Sequence, residues 1–195
     1  MEADRKRWNE RYAADGYLLG VAPAPFLAGQ MERLLSLCPG RRALDIACGE
    51  GRNSVFLARH GFSVTGIDIS EQALAKGKRL AEEAGVRCDF RRADLEECAI
   101  TGSYDLILNI NFLLRSLFPS LVAALTPGGI LLVDTILAVP ETLSRYRPEH
   151  LLRPGELALL FDRYAGTILH AEELPAAAMP TARLLFRMPP APQAA

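Results

Sequence analysis

The stretch ALDIACGEGRNSVFLARHG, residues 43–61, decides how the rest of the chain is read. A short apolar run ends in Gly49-Glu50-Gly51 and gives way to a helical pattern whose apolar residues Val55, Phe56 and Leu57 point inward, with Gly61 as its stop. A strand, a glycine turn and a helix in succession let the backbone turn tightly and approach a nucleotide-like ligand without a Cβ in the way. Two residues depart from a dinucleotide site. Ser54 stands where the third glycine would be, and an acid, Asp45, stands four residues before Gly49. A carboxylate beside a phosphate-cradling turn repels a pyrophosphate and suits a cation.

Strand and helix patterns alternate on both sides of this unit. SVTGIDI (63–69) predicts a second strand, and Ser70 caps a helix over 71–84 that stops at Gly85. CDFRRA (88–93) and YDLILNI (104–110) predict the next two strands, the second apolar throughout and so buried on both faces. A helix is expected over about 113–125, then a turn at LTPGG and a fifth strand at ILLVDTI (130–136). Residues 137–153 read as loop, 154–161 as a short helix, and GTILHAEEL (166–174) with TARLLFRM (181–188) as an antiparallel hairpin. Two short helices, 4–14 and 25–37, precede all of this. The expected fold class is α/β: a Rossmann-like, doubly wound, seven-stranded, mostly parallel sheet with a C-terminal antiparallel hairpin and helices on both faces. One domain over 1–195 is expected, with residues 1–40 a helical cap, 41–188 the core and 189–195 a fraying tail.

Half of the 195 residues are hydrophobic and 23% are charged, the balance of a globular protein. The net charge of -1 lacks the basic excess of a duplex-tracking surface, so no nucleic acid partner is expected. Only three of the 22 cationic residues are lysines, Lys6, Lys76 and Lys78, which reads as genome composition. Cys38, Cys48, Cys88 and Cys98 have no C-x-x-C spacing and read as small core residues, so neither a disulfide framework nor a metal site is expected. The N-terminus has no apolar leader and the chain no 18-residue apolar run, which points to a cytoplasmic protein without a membrane span.

In doubly wound sheets ligands sit at the carboxyl ends of the strands. The second strand ends at Asp68-Ile69, and a carboxylate there can accept from both hydroxyls of a ribose. The third ends at Ala93-Asp94-Leu95, where the acid can accept from an exocyclic amine and the next N–H can donate to a ring nitrogen. With Asp45, these acids fit an adenosine with a cationic, amino-acid-like tail, and S-adenosylmethionine is such a ligand. The plainer readings are a helix-dipole role for Asp68 and a turn role for Asp94.

These residues resemble the motifs of class I S-adenosylmethionine-dependent methyltransferases. Asp45-Ile-Ala-Cys-Gly-Glu-Gly51 is similar to their first motif, Ile67-Asp68-Ile69 to their ribose-binding strand end, and Ala93-Asp94-Leu95 to their adenine-binding turn. YDLILNI and LTPGGILLVDT resemble their fourth and fifth strands. Within the class, WNERYAADGYLLGVAP (8–23) and CGEGRNSVFLARHG (48–61) resemble the small tellurite-resistance and thiopurine-type enzymes. The resemblance implies a cofactor site formed by Asp45, Ala47, Gly49, Gly51, Arg52, Asp68, Ile69, Asp94, Leu95 and Asn109, covered by Trp8 and Tyr12, with Tyr17 nearby. Ala47 stands where many members have glycine. Arg52 is read as a partner of the methionine carboxylate or of Glu50. Asn109-Ile-Asn111-Phe112 lacks the prolines of the motif that members methylating nucleic-acid amines carry after this strand.

The implied reaction is in-line displacement of a methyl group onto a small-molecule acceptor, a soft sulfur, selenium or tellurium nucleophile among the candidates. Such nucleophiles need little general-base help, and no residue is assigned as catalytic. His60 and His170 read as structural, and His150 and Arg115 as weaker pocket candidates. Two other readings stay open: a module that holds the cofactor without turnover, and a nicotinamide oxidoreductase, which the acid at 45 and the serine at 54 oppose. The residues name neither the acceptor nor the oligomeric state.

Overall fold

The computed structural model describes residues 2–192. Helices α1 (Glu2–Tyr12) and α2 (Pro25–Leu37) precede the strands β1 (Arg42–Ile46), β2 (Ser63–Asp68), β3 (Cys88–Arg92), β4 (Tyr104–Ile110), β5 (Leu125–Ile136), β6 (Thr167–Leu174) and β7 (Thr181–Arg187). Between them lie α3 (Arg52–Arg59), α4 (Glu71–Glu83), α5 (Phe118–Ala123), α6 (Pro140–Leu143) and α7 (Glu156–Asp162). The strands form one sheet in the order β3-β2-β1-β4-β5-β7-β6. The first five run parallel, and β7 enters antiparallel between β5 and β6. The strand order reverses between β1 and β4, so their carboxyl ends flank the crevice where such sheets take ligands.

Alternation along the strands divides the core. On one face Leu27, Met31 and Leu34 of α2 pack on Leu106, Leu108, Ile130, Leu132 and Leu185. On the other, Phe118 and Leu121 of α5 and Leu157 and Phe161 of α7 cover Leu44, Ile46, Ile107, Leu131 and Val133. The central strand β4 is buried at every residue, as its unbroken apolar run requires. Of the N-terminal segment expected as a cap, α1 lies against α4, whereas α2 belongs to the sheet-packing layer.

The chain departs from the expected elements after β4. The predicted helix over 113–125 is a 3₁₀ turn at Arg115–Leu117 followed by the six-residue α5, because Pro119 sits in the first turn and fixes the helix start. LTPGG is not a turn between elements but the opening of β5. Leu125 pairs with Tyr104 before a register shift, and Thr126 Oγ1 donates to Asp105 at 2.9 Å. A Cβ on Gly129 would stand 2.9 Å from Thr126 O and 3.0 Å from Tyr104 O, so the irregularity closes only around glycine. The loop expected over 137–153 holds α6 and a 3₁₀ turn, Pro148–His150. Among the described residues no helix is long and apolar enough to cross a membrane. Of the tail expected to fray, residues 193–195 lie outside the described residues.

Candidate active site

The turn after β1 is built on left-handed backbone. Ala47 has φ +50°, Gly49 +54° and Gly51 +76°, the last as the N-cap of α3. A Cβ on Gly51 would stand 2.6 Å from the Phe90 ring, and one on Gly49 would stand 2.9 Å from Tyr12 Oη. Both glycines are therefore required twice, by conformation and by space. Ala47 adopts the same region with its Cβ in place, a local cost of about 1–2 kcal/mol that agrees with glycine at this position in the resembled family.

Asp45 lies beneath this turn and is 1% exposed. Ser54 Oγ donates to it at 2.6 Å. Burial pushes its carboxyl up to about 7, while the Ser54 hydrogen bond opposes the rise; nearby Asp68 adds to it and Arg52 subtracts. Ser54, where a dinucleotide site has its third glycine, is thus the residue that holds the acid, a role sequence reasoning missed. Its signal was the spacing, which puts position 54 on the first turn of α3, facing back toward β1.

Asp68 closes β2 with its carboxylate turned to the same place. It accepts from Gly49 N–H at 2.8 Å and from Ser70 N–H at 2.9 Å, while Ser70 Oγ caps α4 by accepting from Ala73 N–H at 3.2 Å. Burial raises its pKa and these backbone bonds restrain it. Ile69 follows, half-buried. At the end of β3, Asp94 accepts from Glu96 N–H at 3.0 Å, and Leu95 is buried in the α5-side core. Asn109, level with Ile46 and Val133, is 1% exposed, and its Oδ1 has no hydrogen-bond partner among the described residues.

The N-terminal segment runs across the turn and is fastened at several points. Tyr12 is buried over Gly49, and burial together with Asp68 and Glu50 raises its phenol pKa. Trp8 stacks on Tyr12 with ring centroids 5.6 Å apart and carries Arg11 over its own ring at 5.2 Å. Tyr17 packs against the small core of Leu74, Val55 and Phe90. Asn9 accepts from Ser70 Oγ at 2.7 Å and donates to Glu71 at 2.9 Å. Lys76 donates to Ala14 O at 2.6 Å, Gly16 O at 2.7 Å and Glu50 at 3.0 Å, and Glu50 accepts from Leu18 N–H at 2.7 Å. Arg52 does not pair with Glu50, which is buried with Lys76; it donates to Leu19 O and Ala22 O at 3.1 and 3.3 Å. Sequence reasoning missed Asn9, Glu50 and Lys76, because their partners lie 26 to 63 residues away.

Other residues singled out in the sequence lie outside this group. Arg115 is bound by both carboxylate oxygens of Glu156 and by the carbonyls of Glu149 and Leu151, and so is a structural tether. His60 Nδ1 meets Phe56 O, His170 faces Glu172, and His150 is exposed. Two surface clefts lie away from the strand-end crevice: one of about 340 Å³ lined by Arg42, Asp89 and Tyr104, another of about 300 Å³ between α6 and the β6–β7 connection.

A parallel sheet that reverses at a glycine turn, with acids at three successive strand ends and an antiparallel β7 inserted next to β5, defines the class I methyltransferase architecture. Residues 43–129 match the methyltransferase domain family. The chain is 34% identical over 127 residues to a ubiquinone biosynthesis O-methyltransferase of Marinobacter nauticus, covering 60% of this chain and 53% of that protein. The chain spans about half the length of the curated relatives it matches. Among solved structures, TehB from Haemophilus influenzae aligns with a TM-score of 0.69 at 21% identity, over 82% of this chain and 62% of that one. The magnesium protoporphyrin IX methyltransferase of Synechocystis PCC 6803, solved with bound SAH, aligns with a TM-score of 0.69 at 17% identity, over 96% and 99%. Over residues 43–129 the chain is similar to the methyltransferase domain family, and its fold is that of the class I methyltransferases.

Proposed function

We propose that this protein transfers a methyl group from S-adenosylmethionine to a small-molecule acceptor. The observation that carries the reading is Asp45, a buried acid beneath a glycine turn, where a phosphate would be repelled and an ammonium welcomed. Asp45 then meets the amino group of the cofactor's methionine end. Asp68 accepts from the ribose hydroxyls with the lone pairs left free by Gly49 and Ser70 N–H. Asp94, the Leu95 N–H and the orphaned Asn109 Oδ1 suit the adenine side. Tyr12, with Trp8 behind it, covers the ligand, and Arg52 holds the covering loop rather than the ligand. When bound, the cofactor supplies a methyl carbon made electrophilic by a sulfonium. The chain's own part is alignment and exclusion of water, and alignment alone supplies about 7–11 kcal/mol in well-oriented cases.

For the acceptor atom we favour oxygen, on the likeness to O-methyltransferases. A soft sulfur, selenium or tellurium nucleophile is the second reading, favoured by the histidines, none of which is set out as a base at the strand ends. Thermal shift with S-adenosylhomocysteine against NADH tests the cofactor, and stabilisation by NADH alone overturns the reading. An assay with catechol, thiophenol, selenite and tellurite tests transfer; cofactor binding without product from any of them makes the protein a binding module instead.

A further inference from the structure

Part of one sheet face has no helix over it. Parallel strands are usually joined through a crossover helix that covers the sheet between them. Residues 93–103, which lead from β3 to β4, form none. They cross the sheet as a loop, with Leu95, Cys98 and Ile100 against the α5-side core. The pairings Arg42–Ser63, Thr65–Asp89 and Ile67–Arg91 put these residues on one face, that of Leu44, opposite Val64 and Phe90. Val64 and Phe90 are buried on the side of α3 and α4. On the other side Arg42, Ser63, Asp89 and Arg91 are exposed and Thr65 is half-buried.

The cleft of about 340 Å³ lies on this uncovered face, at the amino ends of the strands. Its walls include the side chains of Arg42, Ser63, Thr65, Asp89, Arg91 and Thr101. Asp89, the one acid among them, is taken: Arg91 Nε donates to it at 2.8 Å and Arg91 Nη2 lies 2.6 Å from the same oxygen. Arg42 has no such partner. Its guanidinium makes no hydrogen bond or ion pair among the described residues, and it lies over the Tyr104 ring at 5.8 Å. That ring is held in turn, because Tyr104 Oη donates to Thr101 O at 3.0 Å. The Arg42 backbone N–H donates to the buried Asp105 at 2.9 Å, so the arginine is positioned at both ends. Asp105 also accepts from Thr126 Oγ1 and does not line the cleft. The hydroxyls of Ser63, Thr65 and Thr101 likewise have no protein partner among the described residues.

We propose that this open face binds a small phosphorylated molecule, its phosphate held by the Arg42 guanidinium and the hydroxyls of Ser63, Thr65 and Thr101. A guanidinium presents two parallel N–H donors to two oxygens of a tetrahedral anion, and hydroxyls can donate to the others. With Asp89 neutralised by Arg91, the cleft carries one cation in excess. Its volume falls in the range of small-molecule sites, roughly 300–1,000 Å³, and leaves room for a sugar-sized body beside the phosphate. One free guanidinium on a chain of net charge -1 makes no track for a polyanion, so a nucleic acid is not the ligand. The site is separate from the cofactor crevice. Ser63 opens β2 and Asp68 closes it, roughly 16 Å further along the strand. The proposal therefore does not depend on the cofactor reading.

The test follows backbone amide shifts of the isotope-labelled full chain as inorganic phosphate, glycerol phosphate or acetate is added at constant ionic strength. Both phosphates are expected to give saturable shifts confined to Ser63, Thr65, Thr101 and Gly102 and their neighbours, and acetate to bind at least about tenfold more weakly. Arg42→Gln is expected to weaken glycerol phosphate by about tenfold or more, since the charged pair of donors is lost. Ser63→Ala, which touches no ion pair, is expected to weaken it in the same direction and serves should the first variant fold poorly. Arg163→Gln, an exposed arginine on α7's far end, is the control and is expected to change nothing. Shifts that do not saturate or that fall elsewhere overturn the proposal. So do acetate binding as tight as phosphate, affinity unmoved by both Arg42→Gln and Ser63→Ala, or an equal loss in Arg163→Gln.

Discussion

Ala47 holds a left-handed backbone at φ +50° that glycine would hold without strain. Relief of about 1–2 kcal/mol is partly offset by glycine's greater freedom in the unfolded chain, so Ala47→Gly is expected to stabilise by up to about 1 kcal/mol, or about 2–4 °C in Tm by calorimetry. A lower Tm would mean that the alanine methyl packs better than its conformation costs. Asp45 gives a pH signature. Its carboxyl keeps a proton up to about 7 when folded but ionises near 4 when unfolded. Between those values the folded state alone binds the proton, so this group's contribution to stability is present in acid and lost as pH rises through 7. The ammonium of the ligand's amino-acid end prefers the ionised carboxylate, so S-adenosylhomocysteine is expected to bind about tenfold more weakly at pH 6 than at pH 8. Asp45→Asn should flatten both the stability slope and the binding slope; an unchanged slope places the titration elsewhere. Asp68→Ala should weaken cofactor binding by about 1–3 kcal/mol and also loosen the turn, since Gly49 and Ser70 lose their acceptor. Affinity within twofold of wild type would displace the ribose site. Acids at strand ends were legible in the sequence because strand ends locate themselves. Ser54's hydrogen bond to Asp45 was not, since it depends on how α3 leans back over β1.

The covering segment is an element held by polar fastenings rather than by a large apolar face. Lys76 is its central pin, reaching two carbonyls of the loop after α1 and the buried Glu50. Lys76→Ala leaves Glu50 buried without its cation, which is expected to cost about 3–5 kcal/mol. Hydrogen exchange should speed up over residues 13–24 before it does in β1 or β4. Protection unchanged over that loop would show that Arg52, with Asn53 accepting from Ala24 N–H at 2.9 Å, holds it without Lys76. The regular elements from 42 to 110 could be read from periodicity, because each helix and strand there carries its own cap or glycine stop. After β4 the local signals mislead: Pro119 shortens α5, and two glycines that read as a turn serve a bulge inside β5. The difference is tertiary, set by Thr126 reaching Asp105 across to the next strand.

At the scale of the whole molecule, a mostly parallel sheet with a terminal antiparallel hairpin was implied by the alternation, whereas the strand order, with β7 inserted between β5 and β6, was not, because it needs the register of β7 against β5. That register divides the labour along the chain. Everything assigned to the cofactor lies before Asn111, and β6, β7 and the segment leading to them lie after β5. The two regions meet along the parallel pairing of β4 with β5 and again where α2 packs on the sheet, with Phe26 against Arg183 and His170. Replacing residues 137–188 with the corresponding segment of another class I enzyme is therefore expected to leave S-adenosylhomocysteine affinity near wild type while changing which acceptors bind. A graft that abolishes both would mean the halves are one machine. The antiparallel strand is thus a natural splice point, where a lineage or an engineer can exchange the customer and keep the supplier.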